Sequence, residues 1–538
     1  MADAKYVVGD HRNGDAKIEL DANKRQFSGL TKEELLKYAE DPFWVKLRWF
    51  LFVLFWAMWL AMLAGAIVII VKAPKCAAPE PKTWFQKGPL VDMEDTPLSD
   101  IEELLPQLKS SLVQAVFVDA PAYEALDHQD IVDNFKAFIV KAKEHGVKVI
   151  VDLIPGYVST DHPWFSLSEN RTGDYTSYFV WAKGSGFIPD APKAVPNLPN
   201  NWVSTNDTPA WSYSDRREEY YLQYNGNNKP DLNFDNPGVV ALFDRVLDTW
   251  MKAGAAGVRL NKARFLFVNS SMADEEIAGG RGAALGADHS HHAFWQRRHS
   301  ADRPPLAALL AAWGRRVAAA AAASGLDESV FTIEEEERFR PELFLKWNAT
   351  SLRPAAAAPL HVGENVTALA ADINKRLGHW PLLQLSAGAE MESEVAALAL
   401  LLPAAPLLSA RQLAGAGAAP REAPARLAAL RGDASLQHGA YRVQPVPARG
   451  GAEDKLIACI RWKEEHAGYA AVLNPTALEL RANLTALPSV PDTLTLYYTS
   501  HAVGLYHNYS RIIDADDVFV PPNSAVVLNY VPQTAVKS

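Results

Sequence analysis

The sequence predicts a single-pass membrane protein that carries a large domain of parallel β/α units. Two observations lead to this fold class. Residues 49–71, WFLFVLFWAMWLAMLAGAIVIIV, contain no charged side chain. Beyond them, short apolar strand patterns alternate with amphipathic helix patterns, which is typical of parallel β/α units. The chain has 538 residues, 49% of them hydrophobic, and a net charge of −10, which favours packed cores and argues against a nucleic-acid partner.

The apolar run is long enough to cross a bilayer as a helix. At about 1.5 Å per residue it reaches roughly 34 Å, against a hydrocarbon core of about 30 Å. A cleaved signal peptide is the alternative, but its apolar part is shorter and lies nearer the N-terminus. The run holds small residues that predict a face for packing against a partner helix, with an anchor that touches only lipid as the alternative: Ala61, Ala64, Gly65 and Ala66.

Glycosylation sequons predict the orientation, because lysine and arginine are evenly distributed on the two sides of the span. Asn-x-Ser/Thr triplets occur only after the span, which suits a face exposed to the secretory lumen. We therefore expect a type II protein with its N-terminus in the cytosol. The sequons begin at Asn170, Asn206, Asn269, Asn348, Asn365, Asn483 and Asn508.

The chain has two cysteines, Cys76 and Cys459, and we do not expect them to pair. Cys459 lies in LIACIRW, an alternating strand pattern that predicts a buried thiol. Cys76 lies five residues beyond the apolar run in a proline-rich neck, where an exposed thiol is a candidate for an intermolecular disulfide. The partner would be another membrane protein; a homodimer bridge or an unused thiol remain alternatives.

A short helix is predicted before the membrane. Thr31 and Glu34 form a capping box that starts a helix at about Lys32–Ala39, and Asp41-Pro42 interrupts it ahead of the span. This helix could serve a cytosolic partner or none.

The β/α pattern begins with VQAVFVDAP, a short apolar run suited to a buried parallel strand. The helix pattern IVDNFKAFIVKAKEHG and the strand VKVIVDLIP follow, and then the helix VVALFDRVLDTWMKAG precedes the strand AAGVRLN.

We expect no metal or cofactor site. The HSHH cluster at His289–His292 predicts a polar loop, because no carboxylate or cysteine pattern accompanies it.

Several segments resemble the α-amylase clan of glycoside hydrolases, especially its α-glucosidases. They are DLIPGY, DHPWFSLSENRTGDYTSYFVWAKG, PDLNFDNPGV and AGAAGVRLN. The resemblance implies a (β/α)8 TIM barrel with a small insertion after the third strand and a C-terminal antiparallel β-sandwich. The alternating segments VLNPTALELRANL and SAVVLNYVP fit that last domain.

The same resemblance assigns a catalytic centre that has lost its chemistry. A retaining glycosidase needs a carboxylate nucleophile, and this chain has Asn261 at that position while Arg259 is kept. Glu334 or Glu335 would be the acid, or the start of a solvated helix. The third carboxylate, expected near Trp380, is missing. Gly156-Tyr157 replaces the family's Asn-His pair, and Asp152, Arg259, Asn261 and Glu335 are the vestigial positions.

A membrane-anchored, disabled glucosidase-like chain resembles the heavy-chain glycoproteins of heteromeric amino-acid transporters, of the cell-surface antigen heavy chain type. The motifs are TKEELLKYAEDPFWVKLRW, FWAMWLAMLAGAIVIIVKAPKC and TWFQKG. The resemblance implies that Cys76 bonds to a multi-pass light chain of the L-type family, which the heavy chain escorts to the plasma membrane and stabilises there. It implies no catalysis by the heavy chain.

Two other functions stay open, a membrane-bound maltase and an adhesion or receptor protein. The predicted organisation is a cytosolic tail at 1–48, a transmembrane helix at 49–71, a neck at 72–82, a barrel at 83–430 with its insertion at about 158–229, and a β domain at 431–538.

Overall fold

The structure is a computed structural model. It describes residues 32–72, 79–187, 196–279, 286–333, 360–363, 365–378, 380–388, 391–414, 423–449, 454–500 and 512–533. The chain forms two compact units, one ending at Pro79 and the other beginning at Glu80.

The first unit contains two helices, α1 (Lys32–Ala39) and α2 (Pro42–Lys72). The helix predicted at Lys32–Ala39 and the break at Asp41-Pro42 are confirmed. Proline suits the first position of a helix, because the amide that it lacks would have no partner there. α2 extends the predicted span towards the N-terminus, buries none of its side chains, and is long and apolar enough to cross a membrane.

The second unit contains eight parallel strands in one sheet. Their hydrogen-bonded order is β5-β4-β3-β2-β1-β8-β7-β6, which is the order of a (β/α)8 barrel written from β5 round to β6. The strands are β1 (Leu90–Asp92), β2 (Ala115–Asp119), β3 (Lys148–Leu153), β4 (Gly257–Leu260), β5 (Val330–Ile333), β6 (Leu360–His361), β7 (Leu382–Ser386) and β8 (Ala405–Ser409).

Helices connect these strands and cover the outer face of the sheet. The longer ones are Leu98–Ser110, Gln129–Glu144, Pro237–Ala253, Pro304–Ala323, Val366–Arg376, Glu392–Leu401 and Ala423–Leu430. The shorter ones are Trp84–Lys87, Glu124–Asp127, Pro163–Glu169, Ala410–Ala414 and Ala434–His438, with 3-10 turns at Gly173–Ser177, Ala263–Phe265 and His292–Phe294.

One barrel helix, Pro304–Ala323, is also long and apolar enough to span a membrane. It buries one face in the core of the second unit through Leu306, Leu310, Trp313 and Val317, at helical spacing. Its apolar character is therefore that of a core helix.

Between β3 and β4 the chain forms an insertion of short antiparallel strands. Its aromatic side chains make a small core of their own around Trp202, Trp211 and Tyr224. The insertion strands are Trp181–Ala182, Ser185–Phe187, Pro196–Asn197, Trp211–Ser214 and Glu219–Leu222.

Alternating residues of the barrel strands face its inside. Leu90, Ile150 and Val330 form an apolar inner layer, whereas Val116 and Val118 of β2 join the core beneath the helices. At Gly257 the strands approach so closely that a Cβ would lie 2.3 Å from the Val330 carbonyl oxygen. Glycine is required at that position because any side chain would separate β4 from β5.

The C-terminal part contains a six-stranded antiparallel sheet and a separate two-stranded sheet, Leu480–Ala482 with Val518–Val520, that share one apolar core. The predicted strand around Cys459 is confirmed, and its thiol is buried. Because the second layer has two strands among the described residues, the sandwich remains a prediction. The six strands are Ala440–Pro447, Asp454–Trp462, Gly468–Asn474, Thr493–Thr499, Ile512–Asp514 and Ser524–Tyr530.

Two buried arginines connect the barrel to this β domain. The Arg431 guanidinium donates to the carbonyl oxygens of Leu400 at 2.7 Å, Ala404 at 2.5 Å and Gln86 at 3.0 Å. Arg461 donates to the Leu401 carbonyl oxygen at 3.1 Å. Burial lowers the pKa of Arg431 to about 9, and the neighbouring Arg461 charge adds to the shift. Both arginines thus donate to carbonyl oxygens at the C-terminus of helix Glu392–Leu401, where the helix dipole favours a positive charge.

Candidate functional site

Three charged side chains meet inside the barrel at the C-terminal ends of its strands. Arg259 is the penultimate residue of β4, and it lies beside Asp152 of β3 in the strand register. Its Nε donates to Asp152 Oδ1 at 2.7 Å, and its Nη2 donates to Asp152 Oδ2. Its Nη1 and Nη2 each donate to a carboxylate oxygen of Asp92, the last residue of β1, at 3.0 Å.

Burial removes the charges of this cluster from water, which carries a desolvation cost. The side chain of Asp152 is fully inaccessible, and that of Arg259 is 5% exposed. Burial raises the pKa of Asp152 to about 7, the Arg259 charge and hydrogen bonds oppose the shift, and the charges of Asp92 and Asp119 add to it. Burial also opposes the charge of Arg259, but Asp152 and Asp92 outweigh it and hold the arginine pKa well above its ordinary value.

Asn261, which the resemblance predicts at the nucleophile position, lies one residue beyond β4. Its backbone N–H donates to the Leu153 carbonyl oxygen at 2.9 Å. Its side-chain oxygen Oδ1 is buried and has no hydrogen-bond partner among the described residues. An amide oxygen carries no negative charge, so this side chain cannot attack a sugar as a carboxylate does.

The other residues predicted at catalytic positions belong only in part to the described residues. Glu334 and Glu335 follow β5 directly but lie outside the described residues. The described residues immediately after β7 are Ala387 and Gly388, which carry no carboxylate. Trp380 precedes β7, and its indole N–H donates to the Gln86 carbonyl oxygen at 2.9 Å.

The Gly156-Tyr157 pair follows β3, and the backbone of Tyr157 forms a β-bridge with Asp231. Burial raises the pKa of Asp231 to about 8, although two hydrogen bonds oppose the shift. They come from the Tyr224 backbone N–H at 2.5 Å and the Asn225 side-chain amide at 2.9 Å. Asp92 and Asp231 were not predicted. Asp92 is the last residue of a three-residue strand, which is too short for a periodicity signal.

The predicted surface sites divide into exposed, half-buried and undescribed ones. Cys76, Asn348 and Asn508 lie outside the described residues. Asn269 is half-buried, and its side-chain nitrogen lies 2.9 Å from His299 Nδ1. Among the described residues there is no group of three or more histidine, cysteine, aspartate or glutamate side chains that could hold a metal ion. The exposed sequon asparagines are Asn170, Asn206, Asn365 and Asn483.

Comparison with known families gives two matches on separate parts of the chain. Residues 15–91 match the family described as "Solute carrier family 3 member 2 N-terminus". Residues 121–353 match "Alpha amylase, catalytic domain". The human "Amino acid transporter heavy chain SLC3A1" is 27% identical over 274 residues, 46% of this chain and 38% of the human protein. The predicted resemblance to transporter heavy chains is confirmed.

Glucosidases are also among the relatives of this heavy-chain-like protein. "Maltase 1" of Drosophila virilis is 34% identical over 179 residues, 32% of this chain and 28% of the maltase. The rat heavy chain "SLC3A1" is 25% identical over 276 residues, 47% of this chain and 39% of that protein. The matched regions thus span between 28% and 39% of these relatives' own lengths.

Solved structures support the fold. The alpha-glucosyl transfer enzyme XgtA has a TM-score of 0.60 at 15% identity, covering 84% of this chain and 100% of the enzyme. Trehalose-6-phosphate hydrolase from Bacillus licheniformis has a TM-score of 0.59 at 14% identity, covering 83% of this chain and 100% of the hydrolase. The predicted amylase-like (β/α)8 barrel is therefore confirmed.

We predict that Arg259→Met destabilises the barrel by about 3–5 kcal/mol, because it leaves two buried or nearly buried carboxylates without their cation. Chemical unfolding of the full chain in detergent measures the change. The matched control is Arg316→Met, whose 39% exposed side chain pairs with Asp248 at 3.0 Å. That variant should lose about 0–1 kcal/mol. Equal losses in the two variants would show that the Arg259 cluster contributes no more than a surface pair.

Proposed function

We propose that this protein is the ancillary heavy chain of a heteromeric amino-acid transporter. The observation that carries the proposal is the family match over residues 15–91, which includes α1, α2, the neck and the start of the first barrel strand. The amylase-like barrel of this chain and the heavy-chain relatives that match it support the same function. A single apolar helix forms no pore, so transport belongs to a multi-pass light chain of the L-type family.

In this proposal α2 crosses the plasma membrane once, with the N-terminus in the cytosol and the barrel outside. The sequons support this orientation, since four of the described ones lie on exposed side chains of the second unit. The sandwich predicted at the C-terminus would belong to the same extracellular part.

Cys76 is the proposed attachment point for the light chain. It lies four residues beyond the last residue of α2, Lys72. The other cysteine is unsuitable, because burial raises the pKa of Cys459 to about 12 and leaves no reactive thiolate. A disulfide next to the bilayer would keep two helices at high effective concentration, so even weak contacts between them would persist.

The membrane part of that contact is proposed on α2. Four aromatic rings, Trp49, Phe52, Trp56 and Trp59, follow one another along one face in edge-to-face contact. Ala61, Ala64 and Gly65 lie on a different face, where small side chains let another helix approach closely. Ala66 falls nearer the aromatic face, because each residue turns the helix by about 100°.

Catalytic inactivity is also part of the proposal. Asn261 supplies no nucleophile, and the Arg259 guanidinium donates hydrogen bonds to Asp92 and Asp152. A glycosidase would need an anionic oxygen about 5 Å from a carboxylic acid. The second candidate is a membrane-bound maltase, which the 34% identity to a maltase favours.

Non-reducing electrophoresis of membranes that contain the light chain tests the attachment. Wild type should run as a high-mass band that the reductant removes, and Cys76→Ser should abolish this band because the bridging thiol is gone. Cys459→Ser is the control, because its thiol is buried in a strand and should leave the band unchanged. A high-mass band that persists in Cys76→Ser would rule out the proposed bridge.

Glucose release from maltose tests inactivity. The purified full chain should release none, and Asn261→Asp should also release none, because the sequence has no aspartate near Trp380 or shortly after β7 to act as the third carboxylate. The assay needs an active α-glucosidase as a positive control. Release by wild type that disappears in Glu335→Gln would establish the maltase instead.

Enzymatic deglycosylation followed by electrophoresis tests the orientation. Asn483→Gln should lower the glycosylated mass by one glycan, because Asn483 is exposed and its oxygen accepts from Thr485 within its own turn. Asn269→Gln should leave the mass unchanged, since that side chain is half-buried against His299. A wild type without any glycan would contradict an extracellular barrel.

A further inference from the structure

The short helix α1 exposes an apolar surface that no described residue covers. Leu35 is 56% exposed, Leu36 59% and Tyr38 53%. These values show that α1 does not use its apolar side chains to pack against α2, although the two helices belong to one compact unit. Three large hydrophobic side chains in an eight-residue helix are costly to leave in water.

The apolar side chains of α1 share one face. At about 100° per residue, Leu35, Leu36 and Ala39 fall within an arc of roughly 100°. Glu33 and Lys37 lie on the opposite side of the helix. Lys32, in the first turn, falls within the same arc, and its long aliphatic stem can lie along the apolar face while its ammonium group reaches water. α1 is therefore amphipathic.

The connection between α1 and α2 is defined by hydrogen bonds. Asp41 Oδ1 accepts from the Phe43 backbone N–H at 2.9 Å and so begins α2. Arg48, on the second turn of α2, donates to the carbonyl oxygen of Ala39, the last residue of α1. This contact satisfies a carbonyl at the α1 C-terminus, where a cation is favourable.

The chain itself places α1 close to the membrane surface. Trp44, Lys46, Arg48 and Trp49 occupy the first turns of α2, and such aromatic and basic residues are typical of the boundary between water and lipid. Ala39 is three residues from Pro42, so the end of α1 is within about 11 Å of the start of α2. An exposed apolar helix face and the bilayer interface are therefore neighbours.

We propose that α1 lies in the bilayer interface, with Leu35, Leu36 and Ala39 towards the acyl chains and Glu33 and Lys37 towards water. This inference rests on the proposed membrane span of α2. The charges of α1 cancel, since Lys32 and Lys37 oppose Glu33 and Glu34. Apolar insertion is therefore the driving force, and a zwitterionic lipid is sufficient. The covalent link to α2 keeps this short helix at high effective concentration near the lipid.

Site-directed spin labelling of the full chain in phosphatidylcholine vesicles tests the inference. The background is Cys76→Ser, because Cys459 is buried and unreactive. Labels are placed one at a time through Leu35→Cys, Leu36→Cys, Glu33→Cys and Lys37→Cys. Leu60→Cys in the middle of α2 reports on the span. The measurement is collision with oxygen, which concentrates in lipid, and with a water-soluble nickel complex.

We expect the ratio of oxygen to nickel collisions to be several-fold higher at positions 35 and 36 than at 33 and 37, and high at position 60. High nickel collision at all four α1 positions would place α1 in water and overturn the inference. Low collision with both reagents at 35 and 36 would mean that protein covers this face, which also overturns it. High nickel collision at position 60 would instead refute the span, and with it the proposed function.

Discussion

The charged layer inside the barrel depends on the guanidinium of Arg259. It joins the ends of β1, β3 and β4 through hydrogen bonds to Asp92 and Asp152, above the ring of Phe117 at 4.5 Å. Two carboxylates in this setting would repel each other and lose their hydration without a cation between them. By pairing with both carboxylates, the Arg259 guanidinium contributes to the stability of the barrel.

At the opposite end of the barrel, two buried arginines donate to backbone carbonyl oxygens. Arg431 and Arg461 bind carbonyl oxygens at the end of helix Glu392–Leu401, and Arg431 also binds Gln86 in the segment that leads into β1. These bonds connect the first residues of the second unit to its C-terminal domain. The segment that follows the neck is therefore held firmly within the barrel.

Much of the fold could be predicted from local patterns. The strands at Ala115–Asp119, Lys148–Leu153 and Gly257–Leu260 coincide with short apolar runs, and α1 begins where the capping box places it. The helix Pro237–Ala253 ends at Gly254, whose φ of 108° favours glycine. β1 was missed because three residues carry no periodicity. In the two-stranded sheet of the C-terminal domain, Leu480–Ala482 lies within the predicted segment VLNPTALELRANL, whereas Val518–Val520 was not predicted, since strands this short depend on their neighbours.

The sequence by itself determined the uncharged 49–71 run and the β/α alternation, because each is a property of residues that are close in the chain. The resemblance to glucosidases added the expectation that Asn261 occupies the nucleophile position. Only the tertiary structure decided that Asp92 shares Arg259 with Asp152, that Asn269 is half-buried whereas Asn483 is exposed, and that α1 leaves its apolar face uncovered. These features depend on residues far apart in sequence, such as the 167 positions between Asp92 and Arg259. The local periodicity of the sequence determines which face of its helix or strand a side chain occupies, whereas tertiary packing determines which other residues that side chain contacts.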